Sequence, residues 1–179
     1  MKLNLGLIVL LLCLASSCKD DVLPKPKAML RLEYPEGKEA ILETEHFSVK
    51  YNEMAKLKSE SNTSFTLDYP LMKGSIFINY KAVNGNLDKL LTDAQKLSYE
   101  HVVKADGIYD EPHKVYGMYY EVKGNAASQS QFYVTDSTEH FVTGSLYFYA
   151  KPNYDSILPA AVHLQKDIRK IIESLRWKE

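Results

Sequence analysis

Cys18 is the residue whose chemistry its neighbours define best. Lys2 supplies a positive start, Leu7 to Leu14 form an apolar run broken only by Cys13, and the small residues Ala15, Ser16 and Ser17 lead into Cys18. A signal peptidase must accept an extended backbone of small side chains at that point, and the thiol is the only nearby group able to carry a diacylglycerol thioether. The pattern predicts a lipoprotein signal over residues 1–17, removed to leave Cys18 as the lipidated mature N-terminus. A membrane-spanning helix needs about 20 apolar residues. This run is shorter, and Lys19-Asp20-Asp21 comes directly after it.

A second group, Asp136-Ser137 with His140 close behind, has the residue types of a nucleophile, a base and its orienting acid. Neighbours in a tight turn project in different directions. Nucleophilic catalysis instead needs Ser, His and acid in a hydrogen-bonded line, with oxyanion donors aimed at one point. Asp136, Ser137, Thr138 and Glu139 are therefore expected to shape a hairpin tip, as a candidate contact surface for a partner, and no catalytic residue is assigned. Asp106-Gly107-Ile108-Tyr109-Asp110-Glu111 gathers three carboxylates but lacks the oxygen-ligand spacing of an EF-hand loop, so it is expected to be a solvated connection.

The five histidines, His46, His101, His113, His140 and His163, are scattered, and no two stand at the i, i+4 spacing of a helical zinc pair. Gly-x-Ser-x-Gly and a phosphate loop are absent. Gly144-Ser145 lies inside an apolar strand, where glycine marks a bulge or a close contact. No metal and no cofactor are expected. The thirteen tyrosines could stack on sugar rings, but most fall in predicted strands, where packing accounts for them.

The net charge of −1 leaves no electrostatic footprint for nucleic acid, and that class is excluded. Both cysteines lie in the signal region, so the mature chain has no thiol for a disulfide, a metal or catalysis. About 160 residues remain after the signal, one domain in size. Residues 18–27, with Pro24-Lys25-Pro26-Lys27, read as the lipidated cysteine and a stiff extended tether, and residues 28–179 as a single globular domain. Lys19-Asp20-Asp21 reads either as part of that solvated tether or as a short export signal to the cell surface.

Alternation of apolar and polar residues predicts strands over 47–51, 64–69, 75–80, 115–122, 129–135 and 140–149. The last is apolar on both faces, which suits a central strand covered above and below. Asp136 to Glu139 should join the final two strands as a hairpin. Asn86 can cap a helix carrying Leu87, Leu90, Leu91, Ala94, Leu97 and His101 on one stripe. A terminal helix over about 156–176 carries Ala161, Leu164, Ile168, Ile171, Ile172 and Leu175, with Pro159 in its first turn and Trp177 closing one end of the core. The elements predict an α+β fold, a largely antiparallel sheet covered by helices.

The lipoprotein signal, the tether running to Arg31 and Tyr34-Pro35, the block Thr135 to Phe141 with Gly144-Ser145-Leu146-Tyr147-Phe148, and Pro152-Asn153-Tyr154-Asp155-Ser156 through Asp167-Ile168 to Trp177 together resemble the gliding motility lipoproteins called GldD. The resemblance covers essentially the whole mature chain. It implies a Bacteroidetes outer-envelope lipoprotein, held to the membrane by its N-terminal lipid, that acts without catalysis or cofactor beside other gliding and secretion proteins. Those would be the gliding machinery and the linked type IX secretion system. It transfers no site residue beyond Cys18. The order of elements also resembles the α-β-α sandwich of PsbP and Mog1-like proteins, an analogy of fold alone. The alternative function is an envelope hydrolase or glycan-binding lipoprotein, which would need converging titratable groups or coplanar aromatic rings in a cleft.

Overall fold

The computed structural model describes residues 32–96, 102–149 and 153–178. The signal at 1–17, Cys18, the tether and the end of the first predicted helix at 97–101 lie outside the described residues. The strands are β1 (Glu39–Glu43), β2 (Phe47–Asn52), β3 (Lys56–Ser61), β4 (Ser64–Tyr69), β5 (Gly74–Ala82), β6 (Val102–Asp110), β7 (Val115–Val122), β8 (Ser128–Thr135), β9 (His140–Phe148) and β10 (Arg176–Trp177). The helices are α1 (Leu87–Lys96) and α2 (Tyr154–Glu173). A seven-stranded sheet runs β3-β4-β5-β9-β8-β7-β6, and a three-stranded sheet runs β1-β2-β10. Every pairing is antiparallel, so the chain is α+β in class.

β9 is the middle strand of the large sheet, as its two apolar faces require. Val142 and Leu146 face α2, where Leu164, Ile168 and Ile171 close the main core with Leu67, Ile76, Ile78 and Val134. Phe141 faces the other way and packs with Tyr120 and Tyr133 beneath Leu87, Leu90, Leu91 and Ala94 of α1. The helices thus flank the sheet, and the small sheet joins α2 through buried Phe47 and Val49. In β9, a Cβ on Gly144 would stand 2.1 Å from the Phe132 ring, so its glycine admits a close contact.

Four strands depart from expectation. β3 is exposed at all six positions, so no alternation marks it. β1 is short, with Leu42 buried and Ile41 exposed. β10 comes directly after the terminal helix, where Trp177 pairs with Phe47. β6 takes up Asp106 to Asp110, which corrects the solvated connection expected there: pairing along β7 satisfies the inward-facing half of the backbone groups despite three carboxylates in a row of six. α2 starts at Tyr154, so Pro159 falls inside the helix and not in its first turn.

Candidate functional site

Thr135 closes β8 and His140 opens β9, and the four residues between them form the expected hairpin. Thr135 Oγ1 donates to the His140 carbonyl at 2.6 Å and accepts the Ser137 N–H at 2.9 Å. Asp136 Oδ1 accepts three backbone N–H groups, from Thr138 (3.0 Å), Glu139 (2.9 Å) and His140 (2.8 Å), while Thr138 Oγ1 donates to Oδ2 at 2.8 Å. A short carboxylate is suited to this because it reaches the amides two to four residues ahead of its own backbone. Ser137 stands at φ 71°, in the left-handed region. Burial works against charge on Asp136, but the N–H groups of His140, Thr138 and Glu139 outweigh it and hold the carboxyl below its usual 3.8.

His140 is turned toward the small sheet. Its Nδ1 lies 3.0 Å from the Tyr80 hydroxyl, and its ring stacks on Trp177 at 5.1 Å between centroids. His46 stacks on the far side of this group, 4.0 Å from the Tyr80 ring. Trp177 packs against the main core and donates from Nε1 to the Lys114 carbonyl at 2.9 Å, tying β10 to the β6–β7 turn. Asp136, His140, Trp177 and Lys114 wall an open groove of about 520 Å³ that also bears Thr138, Glu139, Arg176 and Lys178. Tyr80 and His46 back it from behind His140.

The arrangement has the parts of a triad without its connections. Asp136 spends its oxygens on the turn, and His140 Nδ1 faces Tyr80. No group of three or more His, Cys, Asp or Glu among the described residues is placed to hold a metal. The groove offers a fixed polar rim, with Glu139, Lys114, Arg176 and Lys178, around a floor of His140 and Trp177. Sequence reasoning found the rim at Asp136 to Glu139 and missed the floor with its backing. His46, Tyr80 and Lys114 come from three separate strands or turns, and only the pairing of β10 with β2 brings Trp177 to them.

A second buried titratable group lies across α2. Asp167 is 4% exposed, accepts from Asn52 Nδ2 at 3.2 Å and has His163 Nε2 at 3.9 Å. Burial pushes its carboxyl up from 3.8. Burial, then the Asp167 charge, pushes the Tyr69 hydroxyl up likewise. Tyr34 packs edge-on against His163 and covers this cluster, which fastens α2 to the turn after β2.

No helix among the described residues is long and apolar enough to cross a membrane. No curated protein matches the sequence. The model of the family "Gliding motility lipoprotein GldD" matches residues 19–177, which takes in both sheets, both helices and every residue of the groove but Lys178, so the chain belongs to the GldD family of gliding motility lipoproteins.

Proposed function

We propose that this gliding motility lipoprotein is anchored by a lipid on Cys18 in the outer membrane and serves as a non-catalytic accessory or assembly factor for gliding and the linked type IX secretion system. It meets other envelope proteins through the groove at Asp136 to Glu139. The observation that supports this reading is the commitment of the groove's reactive groups: Asp136 holds three backbone amides, and His140 is fixed between Tyr80 and Trp177. A rim held this firmly presents exposed Thr138 and Glu139 in one orientation, which lowers the ordering cost of binding a partner. The membrane half of the reading rests on the apolar run and small residues before Cys18.

Two measurements test it. Metabolic labelling with a clickable palmitate should mark the wild type and not Cys18→Ser, and equal labelling of both would remove the anchor. A fluorophosphonate probe should leave Ser137 unlabelled. Labelling of Ser137 that disappears in His140→Ala would move the protein to the alternative, an envelope hydrolase.

A further inference from the structure

The two edges of the large sheet are built differently. β3 carries Lys56 and Lys58 and a register break between Ser59 and Ser61, devices that keep other strands from adding to an edge. β6 is the opposite edge, and among the described residues it pairs only with β7. Its one register break lies at Val102/Lys104, so Lys104 to Asp110 run in unbroken register with Glu121 to Val115. The outer side of that stretch therefore presents a straight ladder of backbone donors and acceptors. It also presents an apolar ring in the open, since Tyr109 is 74% exposed.

We propose that β6 pairs antiparallel with β6 of a second copy of this chain, centred on Gly107, to join the two large sheets. Charge selects the copy and the register. About a two-fold axis at Gly107, Lys104 of each chain faces Asp110 of the other, Ala105 faces Tyr109, and Asp106 faces Ile108. Moving the axis to Asp106 sets Asp106 against itself, and moving it to Ile108 sets Asp106 against Asp110. Like charges directly opposite in a sheet destabilise it, and a shift by an odd number of residues would bring outward-pointing groups against inward-pointing ones. The Gly107 register alone among these three pairs opposite charges, twice by symmetry. Lys104 is half exposed and bonded at 2.8 Å to Asp106 of its own strand, within reach of an exchange to the partner chain's Asp110. The absence of a side chain at the axis lets Tyr109 lie across Ala105 and Gly107 of the facing chain. The pairing stands independently of the groove, none of whose lining residues belongs to β6.

The two-fold axis makes the test specific. Nothing lies within 4 Å of a Cβ built on Gly107, so Gly107→Cys fits the strand. Directly opposed Cα atoms in an antiparallel pair stand about 4.5–5.5 Å apart, within disulfide range. Full-length chain in native membranes, oxidised mildly, should give a disulfide-linked homodimer for Gly107→Cys above the background of the parent chain. Ala105→Cys alone and Tyr109→Cys alone should stay single, because each would lie over ~10 Å from its own copy. Co-expressed with distinguishable tags, those two should link to each other. Adding Lys104→Asp to Gly107→Cys should cut the linked fraction several-fold, and adding Asp110→Lys as well should restore it. Equal linkage from Ala105→Cys, no linkage from Gly107→Cys, or linkage of Gly107→Cys to a different protein in place of itself would overturn the proposal. The three single-cysteine variants decide between these outcomes even if the charge variants fail to fold.

Discussion

Replacing Asp136 by alanine removes one carboxylate and leaves three amides and a hydroxyl without their acceptor. The four bonds are not equal. Thr138 and Glu139 are exposed, so water takes over their N–H groups and each costs only a few tenths of a kcal/mol. The His140 N–H bond is partly buried, and losing a charged acceptor there costs about 1.5–3 kcal/mol. The carboxylate also helps hold Ser137 at φ 71°, so the turn loosens when it goes. The expected loss for Asp136→Ala is about 2–3 kcal/mol, a fall in melting temperature of roughly 5–10 °C for a domain of this size. Asp136→Asn keeps Oδ1 as a neutral acceptor and should lose about 1 kcal/mol. The folded carboxyl titrates below its usual 3.8, so its stabilisation is fully present above pH 3.8 and disappears as pH falls through the lower folded value. Thermal unfolding followed by circular dichroism between pH ~7 and pH ~2.5 should show the gap between wild type and Asp136→Asn closing below pH 3.8. A change under about 0.5 kcal/mol for Asp136→Ala, or a gap to Asp136→Asn as wide at the acid end as at neutral pH, would refute the turn energetics.

Other perturbations read out separate parts of the fold. Gly144→Ala should destabilise, since its Cβ meets the Phe132 ring at 2.1 Å, and Phe132→Leu in the same chain should recover part of the loss in a melting experiment. Ending the chain after Ser174 removes Leu175, which has no exposed surface, together with β10. It should cost at least about 4 kcal/mol, and an unchanged denaturant midpoint would show that Trp177 closes nothing. Asp167→Asn should melt higher than wild type at neutral pH. The buried carboxyl titrates above its usual 3.8, so its charge penalises the fold above that raised value and the penalty is absent below pH 3.8, where the two melting curves should converge.

β7, β8 and β9 were legible because their Tyr, Phe, Val and Leu side chains fill the cores on the two faces of the sheet, and the double apolar face of β9 announced the centre of the sheet. β3 was hidden because an edge strand made of Lys, Ser and Glu with a single Leu buries nothing. β6 was hidden because the charge of Asp106 is met from a distant helix as well as by Lys104 of its own strand: Arg169 on α2 reaches Asp106 at 2.6 Å and Glu121 of β7 at 2.8 Å, its guanidinium 4.3 Å over the Tyr119 ring. The contact with Asp106 joins residues 63 apart, and no local pattern carries it. The site divides in the same way. The turn at Asp136 to Glu139 was visible because its residues bond their own backbone, whereas His46, Tyr80 and Trp177 meet only through the tertiary pairing of β2 with β10.

The most direct test of a contact surface against a catalytic one is gliding speed in a deletion strain complemented with groove variants at matched amounts of membrane-anchored protein. Ser137→Gly removes the serine hydroxyl a triad there would need, and it suits the left-handed backbone at that position. Thr138→Arg with Glu139→Arg changes two exposed side chains of the rim while keeping Asp136 and its backbone amides in place. Wild-type gliding is expected for Ser137→Gly and arrested gliding for the double arginine variant. Arrest by Ser137→Gly with undisturbed gliding of the double arginine variant would contradict a contact role for the groove.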